Sequence, residues 1–277
     1  MKHLVVTADD FGLAPEVNAA VELAHEQGIL TAASLMVAAA ATAHAIARAR
    51  RLPRLRIGLH LVLVDGRPAL PPERLPDLVD ATGHLRTDLA RLGLEMCARP
   101  SVQAQVRAEI EAQFRAYQAT GLALDHVNAH KHFHLHPAVA HEIIAIGRRY
   151  GMRGLRVPRE PAAVLTRVES GTKRSPGYVT PWTKLLAHRV RRAGLRSPDS
   201  VFGLAWSGAM SAARLGGLLR HLPAGSTEIY LHPATRDGFA GCAPGYRYTD
   251  ELAALIAPSV IALTRRADVA LGGYSDF

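Results

Sequence analysis

Only two cysteines, Cys97 and Cys242, occur in 277 residues, far apart and outside any CxxC pattern. A disulfide framework and a cysteine-built zinc site are therefore not expected, and a reducing, cytoplasmic setting fits. Aromatic residues make up 5% of the chain. No nucleic-acid motif accompanies the positive charge, so no nucleic-acid partner is expected. There is no Gly-x-Ser-x-Gly, no P-loop and no Gly-x-Gly-x-x-Gly, which leaves serine-nucleophile, nucleotide and dinucleotide chemistry without support. The apolar start, Met1 to Ala8, is cut short by Asp9 and Asp10 and does not read as a signal peptide. The stretch from Leu30 to Ala47 is mostly alanine and carries Thr31, Ser34, Thr42 and His44. It reads as a buried strand running into a helix rather than a membrane span. No linker, composition break or repeat divides the chain, so residues 1–277 are expected to form one domain.

What is present in excess is arginine. Lys and Arg outnumber Asp and Glu by 33 to 24, a net charge of +9. Clusters stand at Arg48, Arg50, Arg51, Arg54, Arg56 and at Arg189, Arg191, Arg192, Arg196. The plain reading is a solvated basic surface. The sharper one is peripheral attraction to an anionic membrane, ranked above nucleic acid.

Hydrophobic periodicity predicts strands over 2–8, 33–37, 56–62, 122–127, 154–157, 200–205, 228–231 and 267–271. Helices are predicted over 15–25, 42–51, 89–97, 101–120, 137–150, 182–193 and 211–222, with two more before the last strand. Ser101 is placed as the cap of the clearest helix. Residues 64–100 read as an excursion over the surface and Pro158–Pro181 as a loop or lid. Strand–helix alternation without hairpins predicts an α/β fold with a parallel sheet, open or closed as a barrel.

The chemistry-bearing residues fall at strand ends: Asp9 and Asp10, His60, His130 and His232. In a (β/α) barrel those ends converge on the face where active sites are built. Five of the 14 histidines lie between Asp125 and Pro137. His130, His132, His134 and His136 alternate with other residues, so in an extended segment they would share one side. Imidazole is the commonest metal ligand, but spacing leaves open whether the run supplies one, two or three ligands. Asp9 and Asp10, being adjacent, are not expected to point the same way. One can hold a metal while its neighbour faces a bound water; a helix-cap role is the alternative. A histidine in an apolar strand such as Gly58-Leu59-His60-Leu61 is most often a hydrogen-bonded core group, although Gly58 leaves room for a close approach. A carboxylate with two histidines would polarise a carbonyl and acidify a water, with a free carboxylate as base, so hydrolysis is the natural chemistry.

Thr7-Ala8-Asp9-Asp10-Phe11-Gly12, Gly58-Leu59-His60-Leu61, the run His130–Pro137 and His232-Pro233 together resemble the YdjC-like carbohydrate deacetylases, over essentially the whole chain. The segments Leu59–Pro68 and Leu124–Pro137 resemble the branch associated with hopanoid biosynthesis. The resemblance implies a single-domain distorted (β/α) barrel, TIM-barrel-like. It also implies removal of the N-acetyl group from an N-acetylglucosamine-type amino sugar with one divalent metal ion, Mg or Zn. It assigns Asp9 as base, Asp10, His60 and His130 as metal ligands, and His232 as acid. Leu155–Glu160 resembles a substrate-side segment, so Arg159 is expected at the substrate, and His132 and His134 are candidates there. The loops differ from those of chitooligosaccharide members, and the hopanoid branch implies a lipid-linked amino sugar. A homodimer is implied as well, with work at the inner face of a membrane consistent with the basic surface. The rival expectations are a metal-dependent phosphoesterase with more than one ion, a soluble chitooligosaccharide deacetylase, and a histidine-rich carrier.

Overall fold

The computed structural model describes residues 1–172 and 179–276. Along the chain run β1 (Lys2–Phe11), α1 (Pro15–Gln27), β2 (Ala32–Leu35), α2 (Thr42–Ala49), β3 (Arg56–Leu61), α3 (Leu89–Ala98), α4 (Pro100–Ala119), β4 (Val127–Ala129), α5 (Pro137–Arg149), α6 (Ala162–Val168), α7 (Val179–Arg192), β5 (Ser200–Phe202), α8 (Ala212–Arg220), β6 (Gly225–Leu231), α9 (Tyr248–Ile256), α10 (Pro258–Thr264) and β7 (Val269–Leu271). The strands pair in parallel in the order β4-β3-β2-β1-β6-β5, and β7 lies beside the start of β1.

Residues 153–159 bridge the gap between β4 and β5. They form no regular strand, yet they bond to both sides. Val127 N donates to Gly154 O (2.9 Å) and Arg156 N to Val127 O (2.9 Å). On the other side Leu155 N donates to Arg196 O (3.0 Å) and Val201 N to Arg159 O (2.8 Å). The sheet thereby curls into a distorted (β/α) barrel, as the resemblance implies.

Pleating sends successive side chains to opposite faces. Leu4, Val6 and Ala8 of β1, Ala33 and Leu35 of β2, Ile57, Leu59 and Leu61 of β3, and Ile229 and Leu231 of β6 join the large apolar core. Each fully buried valine, leucine or isoleucine side chain there is worth about 1.5–3 kcal/mol. The opposite set is mostly polar. Thr7, Asp9, Ser34, His60, Asn128, Arg156 and Glu228 are linked by hydrogen bonds inside the barrel. Val5, Ala32 and Tyr274 form a separate small apolar cluster, held by the Tyr274 and Ser275 amides donating to Asp125 (3.0 Å each).

Helix α4 has two faces. Val102, Val106, Ile110, Phe114 and Tyr117 enter the core. Gln105, Glu109 and Gln113, four residues apart, hold the excursion that follows β3. Glu109 accepts from Ala69 N (2.7 Å) and Leu70 N (3.0 Å), Gln113 accepts from Val62 N (2.9 Å), and Gln105 accepts from Asp77 N (2.9 Å). The excursion is therefore a fixed wall rather than a loose surface loop.

Several expectations change. The strand placed at 122–127 is only Val127–Ala129. The one at 154–157 is the irregular bridge. Ser101 is not a cap: the helix starts at Pro100, and the Ser101 hydroxyl donates to Asp77 (3.2 Å). The loop Pro158–Pro181 contains α6, and its residues 173–178 lie outside the described residues.

Candidate active site

At the end of β1 the pairing with β2 slips between Ala8 and Phe11, and Asp10 takes φ 61°. This bulge breaks the alternation, which is why adjacent Asp9 and Asp10 both turn inward, against expectation. The described non-glycine residues with positive φ are Asp10, Asp65, Lys131 and His132. All four line one cavity. Such strain, of order 1–3 kcal/mol per residue, persists where surrounding structure enforces it, commonly at functional sites.

Asp10 meets His60 and His130 there. Asp10 Oδ1 is 3.3 Å from His60 Nε2 and 3.3 Å from His130 Nδ1, and the two imidazole nitrogens are 3.4 Å apart. Donors bonded at about 2.0–2.1 Å to one tetrahedral ion stand about 3.3–3.4 Å apart, so this triangle fits a zinc-like ion. Asp10 Oδ1 is buried and makes no hydrogen bond among the described residues. An orphaned carboxylate oxygen facing two imidazoles is what a metal site requires. Asn128 sets the tautomer. Its Nδ2 donates to Asp9 Oδ1 (3.1 Å) and Ser34 Oγ (2.9 Å), which turns its Oδ1 toward His60 Nδ1 (2.6 Å). His60 must therefore carry its proton on Nδ1 and present the Nε2 lone pair to the trio. Burial favours neutral His60, but Asp10 and Asp9 beside it outweigh burial and raise its pKa. Burial likewise works against the ionised Asp10, yet His130 and His60 hold its carboxyl well below the usual range.

Asp9 makes no such triangle. Arg156 Nη1 donates to Asp9 Oδ2 (2.6 Å) and Nη2 to Oδ1 (3.0 Å). Burial opposes ionisation of Asp9, but Arg156 and then His60 take its pKa far below the ordinary carboxylate value. On the far side Arg156 binds Glu228 (2.9 and 2.7 Å).

The cavity has a volume of about 1110 Å³. Asp9, Asp10, His60, His130 and His232 all line it. The excursion contributes Asp65, Arg67, Asp80 and His84, while Leu13, Met36, residues 38–40 and residues 240–244 make an apolar wall. His232 follows β6. Its backbone N–H is held by Glu251 (2.5 Å), and its Nδ1 is buried without a partner among the described residues.

Residues 3–266 match the family model described as YdjC-like protein. The chain belongs to the YdjC-like protein family. It is similar to a carbohydrate deacetylase of Homo sapiens, 32% identical over 296 residues and covering 99% of this chain and 90% of that one. A carbohydrate deacetylase of Brevibacillus brevis is 35% identical over 147 residues, which span 53% of this chain and 56% of that protein. The fold matches a crystal structure from Enterococcus faecalis V583, of a protein with a proposed role in cellobiose-phosphate cleavage. The TM-score is 0.76 at 24% identity, covering 99% of this chain and 98% of that one.

In this YdjC-like chain the histidine run is not extended. Residues 130–135 form a tight turn, with Lys131 and His132 left-handed. The four histidines therefore part company. His130 joins Asp10. His132 Nε2 meets the Tyr230 hydroxyl (2.9 Å) in the cavity. His134, expected at the substrate, is fully buried outside the cavity lining. Burial drives its pKa down to about 3, so it is a neutral core group. His136 lies beside Cys97 (3.8 Å). Arg159, also expected at the substrate, donates to Asp199 O (2.6 Å) and lines a second, smaller cavity with Lys184 and Arg191. The arginine that holds Asp9 is instead Arg156, whose signal was a charge between apolar Leu155 and Val157. Gly58 makes room for His126, since a Cβ at 58 would stand 2.4 Å from His126 Nε2.

Proposed function

We propose that this YdjC-like chain is a metal-dependent carbohydrate deacetylase. One observation carries the reading: Asp10, His60 and His130 present three donor atoms to one point, in a cavity that also holds Asp9 and His232. The names of its relatives support the same activity. Two nitrogens and one carboxylate oxygen suit zinc, whereas magnesium prefers oxygen donors. A divalent ion held by this trio would supply a Lewis acid for the acetamide oxygen and acidify a water. Asp9 accepts the proton of the attacking water. A carboxylate has about four lone-pair positions; Arg156 takes two and Asn128 one, which leaves one free. The C–N bond breaks as His232 gives a proton to the departing nitrogen, so acetate and the free amino sugar result.

The finer reading is an amino sugar carried on a lipid of the hopanoid class. The resemblance of Leu59–Pro68 and Leu124–Pro137 supports it, as does the apolar wall beside the trio. No helix among the described residues is long and apolar enough to cross a membrane, so the attachment proposed is peripheral, through the basic surface. Among the described residues a single three-ligand cluster exists, which favours one ion over the several that a phosphoesterase would use.

The test is acetate release from an N-acetylglucosaminyl lipid and from soluble diacetylchitobiose, with metal measured in the same sample. Release from the lipid with one ion per chain is expected. Faster release from the soluble sugar would move the substrate to chitooligosaccharides. Release from neither would end the deacetylase reading.

A further inference from the structure

Strand β6 sends Glu228 and Tyr230 to the same side, and His232 follows just past its end. Glu228 and His232 are accounted for by Arg156 and by the proposed acid step. Tyr230 is not. Its ring is fixed on every side. The Arg156 guanidinium stands 4.5 Å over its centre. The His132 and His232 rings meet it edge-on at 5.3 and 5.8 Å. Gly203, at φ +137°, packs so closely that a Cβ there would lie 2.7 Å from the ring. Tyr230 also lines the cavity between the catalytic pair, tied to Asp9 through their shared Arg156.

The hydroxyl has one hydrogen-bond partner among the described residues, His132 Nε2 at 2.9 Å. Either group can be the donor. The other ring nitrogen, His132 Nδ1, is buried and has no partner among the described residues. A proton on Nδ1 would be a buried donor without an acceptor, which is rarer in proteins than an acceptor without a donor. The proton therefore belongs on Nε2, where it is donated to Tyr230 Oη. The phenol proton is then left with no acceptor among the described residues, and the cavity that Tyr230 lines is the space open to it.

We propose that Tyr230 donates this proton, as a hydrogen bond, to the substrate oxygen on which charge develops during acetyl removal. The role rests on the deacetylase reading. It is a positioned neutral donor of the oxyanion-hole kind, held rigid before the reaction so that nothing must reorganise. It explains why His132, left-handed and off the metal triangle, is placed where it is: it turns the tyrosine from an acceptor's partner into a donor.

Tyr230→Phe removes only the oxygen. The expected result is a kcat lowered about 10²-fold, with KM, bound metal and thermal midpoint unchanged. An unchanged kcat, or a rise in KM alone, overturns the proposal. A second measurement does not depend on turnover. The 15N shifts of His132 in the wild-type protein should report the Nε2-protonated form, and an Nδ1-protonated His132 overturns the assignment. If the wild type releases no acetate, the deacetylase reading has failed, and the proposed role falls with it, whereas the nitrogen shifts still decide the direction of the Tyr230–His132 bond.

Discussion

Arg156 grips Asp9 through two hydrogen bonds, at 2.6 and 3.0 Å, with both side chains buried. The same guanidinium binds Glu228, which also accepts from Thr7 Oγ1 (2.7 Å) and Tyr274 Oη (2.6 Å). One cation thus serves two buried carboxylates, and the hydroxyls fill what it leaves. The arrangement keeps Asp9 ionised and fixes its orientation, while its low pKa makes it a weak base unless substrate and metal share the proton transfer.

Removing that cation should be severe. Arg156→Leu leaves Asp9 and Glu228 buried without the cation they share, and breaking a buried pair in this way costs about 3–5 kcal/mol. Urea unfolding should reveal the loss. Arg156→Lys should recover part of it, since an ammonium keeps the charge but cannot fork between two carboxylates. A loss below about 1 kcal/mol for the leucine variant would mean that the network is not coupled as its geometry implies.

Asp9→Asn separates chemistry from metal binding. Asp9 is not part of the donor triangle, so the variant should retain its ion, measured by elemental analysis. Acetate release should fall by roughly 10²–10⁴-fold, the usual worth of a positioned base. Turnover at the wild-type rate would remove Asp9 from the proton transfer.

The parts of this molecule legible in its sequence are those whose physics is local. Helix α4 could be read because Val102, Val106, Ile110 and Phe114 recur at helical spacing and are buried as that spacing implies. Asp9, Asp10, His60, His130 and His232 could be placed on one face because each stands at a predicted strand end, while the choice of Asp10, His60 and His130 as a trio came from the family resemblance. The bridge at 153–159 could be read only as a strand over 154–157, since its irregular hydrogen bonds depend on Val127 and Arg196 rather than on its own pattern. Arg156 and Arg159 look alike in sequence. What separates them is Asp9, 147 positions away, and Glu228, 72 away. The alternation of histidines suggested one shared face, and two left-handed residues, Lys131 and His132, abolished it.

Asp125 provides a pH test at a carboxylate that is not part of the metal triangle. Burial opposes its ionisation, but His126, Ser275 and Tyr274 hold its carboxyl well below the ordinary value of 3.8. A carboxylate depressed on folding contributes stability above its unfolded pKa and loses it as pH falls toward the folded one. Wild type should therefore exceed Asp125→Asn in thermal midpoint at pH 6, and the gap should close steadily below pH 4. A gap that stays constant down to pH 2.5 would show that the contribution of Asp125 is not its charge.

Metal affinity should fall with pH earlier than an ordinary histidine would make it. Ligand imidazoles must be neutral to bind, so binding releases any proton they carry. Asp10 and Asp9 raise the pKa of His60 above 6.5 in the metal-free protein, so a proton competes for its Nε2 over a range that begins above that pH. Zinc titrations by calorimetry, in buffers of different ionisation enthalpy, should give proton release that grows as pH is lowered from 8 to 6, with affinity falling in step. His60→Ala should bind far more weakly and lose most of this pH dependence, because the raised group is gone. His130→Ala should also bind weakly, but it should keep the dependence, since His60 and both carboxylates remain. Full metal occupancy in either variant would remove that histidine from the ligand set, and equal pH profiles in the two would mean that His60 is not the group whose proton the ion displaces.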